Sequence, residues 1–158
     1  MGKTLLVFYS RSGYTASLAG EMASMTGWDT EEIKDVRPRA GNWGAVRCVL
    51  DVLLRRRPEI RRTNKDPSAY DLVVLAAPVW MERLAAPMRS YLLEHKGKFR
   101  SVAYACTYGG RGAESAGATV AELSGRPLKA LLAVTSFELE QADYRRRLDE
   151  FLKTVQAP

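Results

Sequence analysis

Six consecutive residues, Ser10, Arg11, Ser12, Gly13, Tyr14 and Thr15, are the part of this 158-residue chain best equipped to hold an anion. The aliphatic hydroxyls of Ser10, Ser12 and Thr15 are neutral donors that can turn toward a phosphate oxygen. Gly13 lets the backbone approach such a ligand closely. The apolar run Leu5-Leu6-Val7-Phe8-Tyr9 before them predicts a buried strand. Ala16 to Met25 after them predicts a helix, with Leu18, Met22 and Met25 at i, i+4 and i+7. A turn between a strand and a helix N-terminus collects unpaired backbone N–H groups at the positive end of a helix dipole. The chemistry implied is phosphate binding.

Two more stretches carry the same kind of information. Pro78-Val79-Trp80-Met81-Glu82 follows the continuous apolar run Leu72–Ala77, and Thr107-Tyr108-Gly109-Gly110-Arg111-Gly112 follows Val102–Cys106. Each offers a large aromatic just past a predicted strand, as a flat aromatic ligand carrying a phosphate would require. Other chemistries fare worse. With His95 as the sole histidine, neither a hydrolase triad nor a histidine metal site can be built, and no metal is expected. Four residues separate Cys106 from Arg111, one fewer than a cysteine phosphatase loop needs. A receiver domain needs acids after its first and third strands, where this chain has Ser10-Arg11 and Pro78. No Walker loop or dinucleotide glycine fingerprint is present.

Elements that could position these loops alternate along the whole chain. Strands are predicted at Leu5–Tyr9, Asp29–Ile33, Leu72–Ala77, Val102–Cys106 and Ala130–Thr135. A second helix carries the stripe Trp43, Val46, Leu50, Leu53 and Leu54, read as core-facing, with Asn42 as its cap. A third starts near Pro87, a fourth lies between Gly112 and Leu123, and a last runs from about Gln141 to Val155. Trp28, like Trp43, reads as a packing residue, His95 as a helix-terminal surface residue and Glu31-Glu32 as a surface pair. Five strands alternating with five helices imply a single α/β domain, 1–158, with a doubly wound parallel sheet and helices on both faces. Ligands of such sheets sit beyond the carboxyl ends of the strands, where the three loops fall.

Composition sets the remaining bounds. At 46% hydrophobic and 27% charged residues the chain is an ordinary globular one. Cys48 and Cys106 form no disulfide framework and suit a reducing compartment. No secretory leader and no membrane-length apolar run are visible, so a cytoplasmic location is expected. The net charge is +6, with arginines clustered at 55–57, 61–62 and 145–147. These read as solvated helix ends and faces, with steering toward an anionic partner as the functional alternative. Nucleic acid is not expected, because aromatics do not interleave with the arginines.

The three loops, in this order and spacing, resemble those of the flavodoxin family, and the resemblance covers nearly the whole chain. It implies a flavodoxin-like sheet in the order 2-1-3-4-5 and non-covalent binding of flavin mononucleotide (FMN). Carried over by position, Ser10, Arg11, Ser12, Gly13, Tyr14 and Thr15 would hold the phosphate. Pro78, Val79, Trp80 and Met81 would line one side of the ring system, and Thr107, Tyr108, Gly109 and Gly110 the other. No catalytic side chain is implied. The resemblance points to an electron-transfer flavoprotein, either a carrier that docks a redox partner protein or a small reductase of quinone-like acceptors using NAD(P)H. A reductase would use an oligomer interface to cover its open face. A non-redox phosphate-binding or regulatory module is the alternative. Tyr14 stands where the family commonly has Asn, Arg11 adds a cation, and the basic charge differs from acidic carriers. The segment Trp80-Met81-Glu82-Arg83 lacks the glycine that often permits a peptide flip toward the flavin. Positive φ would be strained there, so weak stabilisation of one-electron-reduced flavin and a lean toward two-electron chemistry are expected.

Overall fold

The computed structural model describes residues 2–158. Its strands are β1 (Thr4–Phe8), β2 (Asp29–Glu32), β3 (Leu72–Trp80), β4 (Arg83–Leu84), β5 (Val102–Tyr108) and β6 (Leu128–Thr135). Five of them form a parallel sheet in the order β2-β1-β3-β5-β6, and the two-residue β4 pairs antiparallel with the end of β3. In chain order the five parallel strands run 2-1-3-4-5, as expected. The central strands are covered on both faces, which is why they read as unbroken apolar runs. Leu5, Val73, Leu75, Tyr104 and Cys106 point into one core layer, and Leu6, Val74, Ala76, Ala103 and Ala105 into the other.

The helices are α1 (Tyr14–Thr26), α2 (Gly41–Leu53), α3 (Ala86–Glu94), α4 (Ala113–Ser124), α5 (Ser136–Gln141) and α6 (Arg145–Gln156). Leu18 and Met22 of α1 and Leu148, Phe151, Leu152 and Val155 of α6 close one layer, joined by Tyr144. Met88, Tyr91 and Leu92 of α3 and Ala116 and Val120 of α4 close the other.

Five sequence expectations are corrected here. The last helix starts at Arg145 rather than about Gln141, and a further short helix, α5, precedes it; between them Ala142 adopts φ 57, an unusual backbone for alanine that periodicity does not reveal. The stripe of α2 points away from the core. Trp43 is 78% exposed and Val46, Leu50, Leu53 and Leu54 are exposed with it, whereas Gly44, Cys48, Asp51 and Val52 face inward. Ala40, not Asn42, caps that helix. His95 and Glu31 are both buried. Glu31 accepts the backbone N–H groups of Asn64 and Lys65 at 3.2 and 3.0 Å, and His95 Nε2 lies 3.2 Å from the Thr63 hydroxyl. Both thus hold the polar segment between α2 and β3 against the sheet. No described helix is long and apolar enough to cross a membrane.

Candidate functional site

The register of the parallel strands brings the three loops to one end of the sheet. Phe8 of β1 pairs with Ala76 of β3, and Pro78 of β3 with Thr107 of β5. The strand order reverses between β1 and β3, the place where such sheets open a crevice.

The first loop is built for an anion. Gly13 sits at φ 99 immediately before α1, with open space where a Cβ would project. Ser10 Oγ accepts the Gly13 N–H at 3.1 Å and fixes the turn. The first turn of α1 has no acidic residue to compete with a bound anion. Ser12 and Gly13 are exposed. Arg11 donates through Nε to the Arg39 carbonyl at 3.3 Å and through Nη2 to the Gly41 carbonyl at 3.2 Å. Both acceptors are neutral, so its positive charge stays at the turn. Tyr14 swings its hydroxyl outward to Glu140 Oε1 at 3.0 Å, and that bond pushes the phenol pKa up. Thr15 is buried. Its Oγ1 lies 2.7 Å from Thr107 Oγ1, so these two hydroxyls bond each other and tie the first loop to the third.

In the second stretch, β3 continues through Pro78, Val79 and Trp80 instead of ending at Ala77. The chain then reverses at Met81 and Glu82 and returns as β4, with Val79 opposite Leu84 and Trp80 opposite Arg83. Met81 and Glu82 have φ 48 and 58. Two left-handed residues in a two-residue hairpin loop are the signature of a type I′ turn, usually Asn-Gly. Positive φ, strained for residues that are not glycine, is thus already adopted here. The hairpin enforces the strained conformation, and the sheet register outweighs the local preference. Met81 is 56% exposed at the tip.

The third loop meets the second by close backbone approach. A Cβ on Gly112, which has φ 87, would lie 2.4 Å from Glu82 Cα. Gly109 and Gly110 face open space, and Tyr108 is half-buried beside them.

A buried network behind Trp80 escaped the sequence reading. Arg39 is 5% exposed, and its guanidinium carbon lies 5.5 Å from the centre of the Trp80 ring. It pairs with Asp35 at 2.9 Å and Asp51 at 2.7 Å, and Asp35 accepts the Tyr9 hydroxyl at 2.8 Å. The Tyr9 ring meets Trp80 edge-on, 5.6 Å between centres. Burial pulls the Arg39 pKa down, but the Asp51 and Asp35 carboxylates outweigh it and hold it above the usual arginine range. Burial, then the bond to Asp35, push the Tyr9 phenol well above its usual range. Trp80 is thus wedged between an aromatic edge and a fixed cation. The four-residue spacing of Asp35 and Arg39 was the one signal in the sequence, and it marks only that pair.

Among the described residues no group of acids, cysteines and histidine could hold a metal ion. Cys106 lies in β5 with no exposure, and burial pushes its thiol up to about 12, so it is no nucleophile. The donors at the first loop, the glycines bordering open space and the two partly exposed aromatics together fit a phosphorylated flat ligand.

The flavodoxin family model matches residues 3–125. The chain belongs to the flavodoxin family. Solved structures agree on the fold. A flavoprotein from Lactobacillus acidophilus NCFM, in complex with FMN, is 23% identical, with 89% of this chain and 98% of that one covered at a TM-score of 0.74. A protein from Bacteroides eggerthii DSM 20697 is 20% identical, covering 96% and 99% at 0.76. A flavodoxin from Fusobacterium nucleatum, bound to FMN, is 9% identical, covering 99% and 98% at 0.57. No curated protein sequence matches the chain. The family match ends at Gly125, so β6, α5 and α6 are recognised by structure alone.

Proposed function

We propose that this flavodoxin binds FMN non-covalently and passes electrons through it, as a carrier or as a small flavin-dependent reductase. The observation that carries the reading is the convergence of three strand ends: an acid-free helix N-terminus, a fixed Trp80, and a glycine loop bonded to the first turn through Thr15 and Thr107. The FMN complexes of the Lactobacillus flavoprotein and the Fusobacterium flavodoxin support it. FMN supplies the redox chemistry when bound; the protein supplies position, burial and electrostatics.

In this reading the unpaired N–H groups at the start of α1 and the hydroxyl of Ser12 hold the phosphate, with the Arg11 charge beside it. Trp80 and Met81 cover one side of the ring system, and Tyr108 with Gly109 and Gly110 the other. The Thr15–Thr107 pair shuts water out from beneath the turn, since both residues are buried. No side chain is needed as an acid or base.

The visible spectrum of the purified protein tests the reading. Flavin absorption bands, or tight uptake of added FMN, are expected; their joint absence overturns it. Steady turnover of a pyridine nucleotide with a quinone would identify a reductase. Fast reduction by a protein donor, without such turnover, would identify a carrier.

A further inference from the structure

The outward face of α2 is an apolar surface with nothing among the described residues packed on it. Trp43, Val46, Val49, Leu50, Leu53 and Leu54 are all exposed along a helix of 13 residues, about 20 Å long. Single exposed apolar residues are common, but a continuous ridge of six marks a contact surface. The one acid of the helix, Asp51, points inward to Arg39, and its one cation, the half-buried Arg47, donates to the Arg37 and Pro38 carbonyls, so no acid opposes an anionic surface on this face.

The surroundings of this ridge identify what it contacts. Residues 37–62 hold eight arginines and two acids, an excess of six. The whole chain has a net charge of +6, so the entire excess lies in this one segment and the remainder is neutral. Arg55, Arg56 and Arg57 at the end of α2, and Arg61 and Arg62 beyond, are exposed. A second copy of the chain would set this positive region against itself. An anionic surface would be attracted by it. A protein partner would need a groove matched to this helix, whereas a fluid bilayer closes around a helix of any contour. An exposed Trp and leucines beside arginines are the composition of helices that lie in a membrane interface. Arginine side chains reach headgroup phosphates while their stems stay among apolar groups.

We infer that the α2 ridge docks this protein on an anionic phospholipid bilayer, Trp43, Leu50, Leu53 and Leu54 entering the interface while the arginines of 55–62 contact phosphate headgroups. The first turn of α2 abuts the phosphate turn through the Arg11 bonds to the Arg39 and Gly41 carbonyls. Docking therefore brings the candidate flavin site to the membrane surface, where a lipid-dissolved acceptor would meet it. That extension rests on the FMN reading; the docking does not.

Co-sedimentation of the full chain with vesicles decides the matter. Vesicles of equal parts phosphatidylglycerol and phosphatidylcholine are expected to bind it at least about tenfold more tightly than phosphatidylcholine alone, and about 0.5 M salt to release most of it. Tryptophan emission should shift to the blue on binding, and Trp43→Phe should remove most of that shift. Trp43→Ser with Leu54→Ser, and separately Arg57→Gln with Arg61→Gln and Arg62→Gln, should each weaken binding about tenfold or more. These residues are exposed, so far-UV circular dichroism and FMN uptake should be unchanged in both variants. No binding to the anionic vesicles overturns the inference, as does undiminished binding by the variants. A concentration-dependent dimer abolished by Trp43→Ser with Leu54→Ser also overturns it and assigns the ridge to a second copy.

Discussion

Replacing Arg39 by methionine isolates the network behind Trp80. The native side chain is 2% exposed and serves two carboxylates that are 8% and 7% exposed, at 2.9 and 2.7 Å. Methionine fills much of the same volume but leaves Asp35 and Asp51 buried without their cation. Breaking a buried pair on one side typically costs about 3–5 kcal/mol. Asp51 retains only the exposed Arg56, 3.9 Å away, and Asp35 only the Tyr9 hydroxyl. A loss of about 3–5 kcal/mol is therefore expected, a large part of the roughly 5–15 kcal/mol that stabilises a domain of this kind. Urea unfolding reads the loss directly. Adding Asp35→Asn and Asp51→Asn should recover most of the loss, because neutral amides need no cation. A deficit below about 1 kcal/mol, or no recovery when both aspartates become asparagine, would refute the reasoning.

Four other perturbations probe separate features. Met81→Asn with Glu82→Gly installs the preferred type I′ pair and should stabilise the fold by about 1 kcal/mol in urea unfolding, since both positions have positive φ. Gly112→Ala forces a Cβ to 2.4 Å from Glu82 Cα at φ 87 and should cost about 2 kcal/mol or more, again read by urea. Burial lowers the His95 pKa from 6.5, so its contribution is present above that value and is lost as pH falls through the folded one. Melting temperatures between about pH 8 and pH 5 should fall more steeply for the native chain than for His95→Gln. Trp80→Ala should weaken FMN uptake about tenfold or more in a fluorescence titration, while Trp43→Ala should leave it unchanged.

The parts of the fold that were legible are those where one residue pattern has one physical meaning. Leu72 to Ala77 and Val102 to Cys106 are apolar without interruption because both faces of each strand are covered, and each lies wholly in a buried strand. The turn at Ser10–Thr15 was legible because glycine and hydroxyls between a strand and a helix serve few other purposes. The orientation of α2 was not. Periodicity reports that one face is apolar, and the step from apolar to inward assumes a core waiting to receive it. Here the inward face is made of Gly44, Cys48 and Asp51. Gly44 makes room for the chain that enters the helix, since a Cβ there would lie 2.0 Å from the Arg39 carbonyl oxygen. Asp51 is tolerated there only because Arg39, twelve residues earlier, neutralises it. The type I′ turn was hidden for a related reason: Met81 and Glu82 carry no local preference for it, and the pairing of β3 with β4 imposes it.

The shallow seat of α2 gives the molecule two clocks. Cys48 lies on the inward face of that helix and Cys106 in the middle of the sheet, and both thiols are free and buried. Lifting α2 uncovers only four buried residues of its own, whereas reaching Cys106 requires the central strands to part. Local openings lie below global unfolding in free energy. In one sample of native protein, alkylation of Cys48 would therefore keep time with the breathing of the helix. Alkylation of Cys106 would keep time with the unfolding of the whole domain. Anything that clamps the helix, a bilayer included, would slow the first clock and leave the second running nearly unchanged.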